Sequence, residues 1–449
     1  MSLIDDLAAA LGKGTILTEQ AMGGRHRSDM SGAGQAAPMA VIRPRTVEEV
    51  SAVLRLCNAA GHPVIAQGGM TGLAGGANPC GGEIAISLEL LRGIEEIDAA
   101  SATMTVRAGT PLEVCQQAAA DAGLFLALDL GARGSCQIGG NLSTNAGGIR
   151  VIRYGMARDQ VLGLEAVLAD GTIISSLNKM LKNNAGYDLK HLFIGSEGTL
   201  GIITRVVLRL HPPPGPITTV LCALSSYDNV VGLLRRAQSG LGGIVAYEAM
   251  WRDYFTYNAA ALDFSPFADE HAFWVILEST QPPDAIESFL GACLEDDLLL
   301  DGLIAQSEAQ TRQIWAVREG HPIENLPNLI NFDVSLPIGR IGDFASACAT
   351  ALHIRWPGSH NSFYGHVGDS NVHICVSVVY GPGESMHDVD DIIYGKVKEF
   401  GGSISAEHGI GTLKRTYLHL SRSAAELALM RQIKATLDPR GILNPGKVL

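Results

Sequence analysis

The sequence contains no run of about 18 consecutive apolar residues, the length a helix needs to cross a bilayer, so no membrane span is expected. It contains no C-x-x-C pair. Its eight cysteines, Cys57, Cys80, Cys115, Cys136, Cys222, Cys293, Cys348 and Cys375, are scattered. That argues against zinc knuckles and thioredoxin-type motifs, and it fits small apolar core residues in a reducing compartment. There is no basic run either: 33 Lys and Arg face 46 Asp and Glu, and the net charge of −13 is spread along the chain. A nucleic-acid surface needs clustered cations, so none is expected. A locally positive pocket for a small anion remains open. No fixed-period repeat and no low-complexity segment occur. The opening residues, MSLIDDLAAALGKG, lack the order of a signal peptide and the arginines of a transit peptide, and read as a short helix ended by Gly12 or Gly14.

What the chain does have is glycine, and the 52 glycines cluster. Dense groups lie at 68–82 and 131–148, and a looser one at 195–201. Such clusters mark sharp turns or close approach of backbone to a ligand. With 449 residues, 47% apolar and 18% charged, the rest is ordinary globular sequence long enough for two or three domains.

Residues 39–65 read as strand, helix, strand: MAVIRP, then TVEEVSAVLRLCNAAG with Thr46 and Glu49 in capping-box spacing and Gly61 as stop, then HPVIAQ, which runs straight into a glycine-rich string. EIAISL, IEEID and TMTVRAG read as short strands, and PLEVCQQAAADAG as a helix with Pro111 at its start. VLGLEAVLADGTIIS reads as a hairpin on Asp170-Gly171. The proline cluster HPPPGP at 211–216 is the clearest domain boundary. Beyond it, strands such as TTVLCALSS, IVAYEAMW, HAFWVILES and INFDVSLP alternate with helices near 283–296 and 341–353, an α+β pattern with an antiparallel flavour. The tail is a helix followed by extended coil.

Two strings could be dinucleotide signatures. GAGQAA at 32–37 fits G-x-G-x-x-A, but it follows the polar RHRSDMS and no strand, so the Rossmann context fails. QGGMTGLAGGA at 67–77 follows a strand, yet its spacing fits neither Rossmann nor P-loop, and no Gly-Lys-Ser/Thr follows. It suits a nest of backbone N–H groups around a diphosphate, or simply a glycine-rich turn. GARGSCQIGGNLSTNAGGIR at 131–150 adds small hydrogen-bonding side chains, and two such loops suit a long diphosphate cofactor.

YGHVGDSNVHICV, residues 364–376, sets His366 and His373 an odd seven positions apart. If SFYGHV and VHICVSVV are strands joined by a four-residue turn GDSN, Val367 pairs with Val372 and His366 with His373. Opposed residues share a face with Cβ atoms roughly 5 Å apart, close enough for two imidazoles to hold one metal. The pattern also suits two partly exposed histidines in a turn. GSISAEHGIG offers Glu407 and His408 side by side; neighbours in extended chain point apart, so one can hold metal while the other faces substrate, or both can be an exposed loop pair.

QGGMTGLAGG, DLGARGSCQIGGNLSTNAGGIRVIRYG, GYDLKHLFIGSEGTLGIIT, YGHVGDSNVHI, GSISAEHGIGTLKR and LDPRGILNPGKVL together resemble the vanillyl-alcohol-oxidase-type flavoproteins, and more closely the FAD-dependent D-2-hydroxyacid dehydrogenases. The resemblance covers residues 39–449. It implies an α+β chain: an N-terminal segment 1–38, a vanillyl-alcohol-oxidase-type FAD-binding domain 39–213, an antiparallel-sheet substrate cap 214–415 with a metal site, and a C-terminal helix and tail 416–449 returning to the FAD domain. It implies a cofactor site of Gln67, Gly68, Gly69, Thr71, Gly72 and Leu73 in the first loop. Asp129, Gly134, Ser135, Gly139, Gly140, Thr144, Asn145, Gly147, Gly148 and Tyr154 follow in the second, with Glu197, Gly198 and Ile203 on the adenine side and Asn444 from the tail. The first loop has Met70 and no histidine, so the FAD is expected to be dissociable.

The resemblance further implies His366, His373 and Glu407 as ligands of a divalent metal. Nitrogen and oxygen ligands suit zinc best without excluding manganese or iron. His408 becomes the general base, and Arg318 in IWAVREG the partner of the substrate carboxylate, with Asn331 nearby. The implied reaction chelates a D-2-hydroxy acid on the metal, which lowers the hydroxyl pKa, and passes the C2 hydride to flavin N5. Pro322, Asn331 and Cys375 depart from the hydroxyglutarate-oxidising pattern, which has a Thr, a Lys and an Asn there, so a second carboxylate would lack partners. The expected substrate is D-lactate-like or D-2-hydroxyglutarate-like, and the expected acceptor an electron-transfer flavoprotein or a quinone. The alternatives are an oxygen-using oxidase, a glycolate-oxidase-type subunit of a complex, and a non-enzymatic flavin- or metal-binding protein. The expected compartment is the cytoplasm, or the mitochondrial matrix in a eukaryote, and a homodimer is compatible with the family.

Overall fold

The computed structural model describes residues 2–18 and 21–449. The chain divides into two compact units, one of Met1–Gly148, Tyr154–Pro213 and Glu407–Leu449, the other of Ile149–Arg153 and Pro214–Ala406.

The first unit holds two sheets. Strands β1 (Ile16–Leu17), β2 (Ala40–Ile42), β3 (Val64–Gln67) and β4 (Ile84–Ser87) lie in the order β1-β2-β4-β3. β4 is the hub, parallel to β2 and to β3, while β1 closes the edge antiparallel. The parallel pairing requires the crossover helix Val47–Ala60 between β2 and β3. Thr46 caps it by accepting from the Glu49 N–H, and Gly61 ends it at φ +63°. The expected capping box is only half formed, because the Glu49 carboxylate accepts from the Arg45 N–H and not from that of Thr46. Val47, Val50, Val53, Leu54 and Cys57 form the buried face. Strands β5 (Ile94–Asp98), β6 (Thr103–Arg107), β7 (Val161–Val167), β8 (Ile173–Ser176) and β9 (Ile202–Arg209) form an antiparallel sheet in the order β5-β6-β9-β7-β8. The hairpin expected at Asp170-Gly171 is β7–β8, with the pair inside a five-residue connection from 168 to 172.

The C-terminal helix Ala424–Leu437 and the tail belong to this first unit. Leu443 bridges Val64 in parallel, and Ile442 and Leu443 are fully buried in the core. Lys434 Nζ bonds the carbonyls of Thr199 and Leu443 and the Asp438 carboxylate, tying helix, tail and loop together.

The second unit is built on seven antiparallel strands: β10 (Thr218–Leu224), β11 (Ile244–Trp251), β12 (Phe273–Ser279), β13 (Asp301–Ile304), β14 (Leu329–Ser335), β15 (His360–Gly365) and β16 (Asn371–Ser377), in the order β13-β10-β12-β11-β15-β16-β14. Helices Arg252–Ala261 and Glu308–Glu319 cover one face, where Leu221, Met250, Trp274, Ile276, Ile314, Val317 and Cys375 pack together.

The hairpin joining β15 to β16 corrects one expectation. Tyr364, not His366, stands opposite His373. The strand ends two residues earlier than expected because Val367–Asp369 forms a 3-10 turn, closed by Ser370 in the left-handed region at φ +79°. A shift of two keeps the same face, whereas a shift of one would turn every side chain over. His366 and His373 therefore still meet, with ring centroids 5.4 Å apart.

Candidate active site

In the first unit, the two glycine-rich loops and the 195–203 segment line one cavity of about 280 Å³. β3 delivers the first loop at Gln67, whose amide bonds the carbonyls of His26 and Ala77 and the His26 ring (2.9 Å). This fixes the mouth of the loop with a buried side chain. The close approaches need glycine: a Cβ on Gly69 would run into the Ser135 carbonyl, and one on Gly147 into the Glu407 carboxylate. At these two glycines the wall is therefore backbone, the kind of surface a glycine-rich loop can offer to a bound group.

Of the expected cofactor residues, Gln67, Gly68, Gly69, Thr71, Gly72, Leu73, Gly139, Gly140, Thr144, Gly147, Glu197, Gly198, Ile203 and Asn444 line this cavity. Asp129, Gly134, Ser135, Asn145, Gly148 and Tyr154 do not, and several of these have other work. Asp129 pairs with Arg133, Asn145 Oδ1 accepts from the Arg158 N–H, Gly148 donates to Glu407, and Tyr154 packs between Phe125 and His211.

Glu407 and His408 line the same cavity. Their loop is held by Glu197, whose carboxylate accepts from the N–H groups of Ile410 (2.7 Å) and Gly411 (2.8 Å). Burial pushes the Glu197 carboxyl above its ordinary pKa, against the opposing pull of those two donors. Asn444 accepts from the Ala66 N–H and donates to the Glu197 carbonyl, so the tail clamps the end of β3 to the same segment.

In the second unit, the sheet face under the two helices carries rows of opposed side chains. Tyr364, His373 and Asp333 form one row, and Ser362, Cys375 and Asn331 the next. Cys375 donates its thiol to Asn331 Oδ1 at 3.2 Å. Glu248 on β11 was not singled out by sequence reasoning, yet it is the centre of this face. Its Oε1 lies 2.6 Å from His366 Nδ1, and its Oε2 accepts from Arg318 Nε at 2.7 Å. Burial alone would push the Glu248 carboxyl up; the His366 and Arg318 charges outweigh it and hold the pKa at about 2. The signal was present in IVAYEAMW, a lone acid on a strand otherwise apolar. Arg318 stacks 4.7 Å over the Tyr364 ring, and Nε is its one hydrogen-bonded nitrogen among the described residues, which leaves both Nη groups for a carboxylate.

His366, His373, Arg318 and Asn331 thus belong to the second unit and Glu407 and His408 to the first. Among the described residues, no group of three or more His, Cys, Asp or Glu side chains is assembled to hold a metal ion.

Comparison with known proteins assigns this architecture. Residues 213–448, more than half the chain, match the family model described as FAD linked oxidases, C-terminal domain. The chain belongs to the FAD-linked oxidase family. Residues 38–176 match an FAD binding domain. A D-2-hydroxyglutarate dehydrogenase of Xanthomonas citri pv. viticola is 42% identical over 426 residues, covering 92% of this chain and 89% of the relative. The mitochondrial D-2-hydroxyglutarate dehydrogenase of Bos taurus is 37% identical, covering 91% and 76%. In fold, p-cresol methylhydroxylase with substrate bound superposes at a TM-score of 0.77 with 17% identity, over 99% of this chain and 96% of that one. A 4-ethylphenol oxidase from Gulosibacter chungangensis gives 0.75 with 18% identity, over 99% and 96%. The chain is an FAD-linked oxidoreductase with the α+β fold of these flavoproteins. The cavity suits that cofactor. Glycine backbone forms part of its wall, beside apolar side chains such as Leu73, Leu130 and Ile202 that suit a large planar group.

Proposed function

We propose that this protein oxidises a D-2-hydroxy acid to the 2-oxo acid with dissociable FAD, residues 39–213 binding the cofactor and 214–415 the substrate. The observation that carries the reading is His408 on the wall of the cavity formed by the glycine-rich loops, in a chain whose relatives are named D-2-hydroxyglutarate dehydrogenases. FAD, when bound, supplies a hydride acceptor at flavin N5. His408 takes the substrate hydroxyl proton as general base, in a loop set by Glu197. The Nη groups of Arg318 hold the substrate carboxylate, with their charge partly balanced by Glu248.

His366, His373 and Glu407 are the residues that would hold a divalent metal, zinc by ligand type, which supplies Lewis acidity when bound. The chemistry of the two histidines suits this role. Glu248 at 2.6 Å from His366 Nδ1 is the arrangement that orients a ligating imidazole, and Asp333 lies 3.9 Å from His373 Nδ1, an ion-pair distance. Cys375 and Asn331 are bonded to each other, and with Pro322 they stand where the hydroxyglutarate pattern has an Asn, a Lys and a Thr, so we favour a D-lactate-like side chain over a second carboxylate. Electrons pass on to an electron-transfer flavoprotein or a quinone. A cytoplasmic or mitochondrial-matrix location and a homodimer complete the reading; no helix among the described residues is long and apolar enough to cross a membrane.

The test is anaerobic bleaching of the FAD-loaded protein across D- and L-2-hydroxy acids, with and without chelator. Reduction by D acids, slowed after verified metal removal, is expected. No reduction by any D-2-hydroxy acid overturns the function, and undiminished reduction without metal overturns the metal role.

A further inference from the structure

Glu248 has a counterpart on the next strand of the second unit. It is the lone acid of IVAYEAMW on β11, and Glu278 is the lone acid of HAFWVILES on β12. In the β11–β12 register Glu248 stands opposite Ile276 and Ala246 opposite Glu278, so the two carboxylates share one face of the sheet. Both are buried. Glu278 accepts from three donors. Its Oε1 takes the Trp315 Nε1–H at 2.8 Å and the hydroxyl of Thr219 at 2.9 Å, from the residue directly opposite on β10. Its Oε2 takes Arg150 Nη1 at 2.9 Å, from the 149–153 segment of the same unit.

Trp315 and Arg318 lie three residues apart on the helix Glu308–Glu319, so they project from one face, about one turn apart. The helix thus meets the sheet through two polar anchors on two strands: Arg318 Nε on Glu248 and Trp315 Nε1 on Glu278. One anchor fixes a point on a helix. Two anchors a turn apart also fix its slide and its roll about the axis, and the Nη groups of Arg318, at the end of a long side chain, move with both. An indole carries one donor and no acceptor, so the bond to Glu278 is the whole polar attachment of Trp315, whose ring otherwise packs with the apolar cluster under the helix. We propose that Glu278 is a positioning residue: through Trp315 it sets the helix from which Arg318 reaches the substrate carboxylate. This rests on the role proposed above for Arg318.

Trp315→Phe tests this with little disturbance. It removes the N–H, keeps an aromatic ring, and leaves Glu278 with Arg150 and Thr219 as donors. Steady-state kinetics of the FAD-loaded protein, with a dye as acceptor, use the D-2-hydroxy acid that bleaches the flavin fastest. KM is expected to rise about threefold to tenfold, the size of one lost hydrogen bond, while kcat changes much less and FAD affinity stays at wild type. That split marks lost substrate binding. Thr219→Val is the matched control. It takes the other donor from the same Oε1 without touching the helix, so a merely structural role of Glu278 would move both variants alike. KM of Thr219→Val is expected to stay within about twofold of wild type. Arg318→Lys, which loses the guanidinium fork, separates the two readings and is expected to raise KM. A raised KM in Arg318→Lys with wild-type KM in Trp315→Phe overturns this inference alone. So does an equal rise in Thr219→Val, which would make Glu278 a support of the sheet only. Wild-type KM in Arg318→Lys, or no acid that bleaches the flavin, overturns the role of Arg318 and this inference with it.

Discussion

Glu248 must satisfy two donors at once, the Arg318 Nε–H and the His366 Nδ1–H, and only a carboxylate offers two acceptor oxygens in that fork. Glu248→Gln offers one. Because the guanidinium is always protonated, the amide oxygen goes to Arg318 and the NH2 faces His366, which reverses the imidazole tautomer. The expected outcome is a loss of kcat/KM of roughly 10–100-fold with circular dichroism unchanged. Wild-type kcat/KM in the variant would show that the pair matters for packing alone. Glu248 was not singled out from the sequence. It is a single acid in a strand read only for its apolar pattern, and its meaning depends on a partner 118 residues away, His366.

At the scale of elements, local signals served well wherever the cause was local. The helix Val47–Ala60 follows from its cap, its apolar spacing and Gly61. The β15–β16 hairpin was legible in kind but two residues out in register, because Ser370 takes a left-handed conformation that no glycine advertised. The 409–411 loop beside His408 depends on one distant side chain, Glu197. Glu197→Gln keeps its shape but leaves one of the two N–H groups facing a donor. Stability is expected to fall by about 1–3 kcal/mol, read from urea midpoints, with a lower kcat from the displaced His408. An unchanged urea midpoint would mean that the loop holds itself.

At the scale of the molecule, chain order and spatial order part company. The proline cluster at 211–216 marks a change of unit, yet 407–449 rejoins the first unit and 149–153 belongs to the second. Ile442 and Leu443 are fully buried in the first unit's core, each contributing roughly 1.5–3 kcal/mol. A fragment of residues 1–213 is therefore expected to melt well below the intact protein and to bind FAD poorly. Coexpression with residues 407–449 is expected to restore binding, measured as flavin retained after gel filtration. Full FAD retention by 1–213 alone would show the tail to be dispensable.

By itself the sequence determined the cofactor class, the positions of the glycine-rich loops, the Glu407-His408 pair and the two-histidine hairpin, because each is written in contiguous residues with constrained backbone. Tertiary structure alone decided that Glu248 joins Arg318 to His366 and that Asp29 joins the glycine-rich loops around one cavity. Those placements arise when sheets and loops far apart in the chain pack against one another. Nothing in the local spacing of residues encodes which buried carboxylate will find which donor.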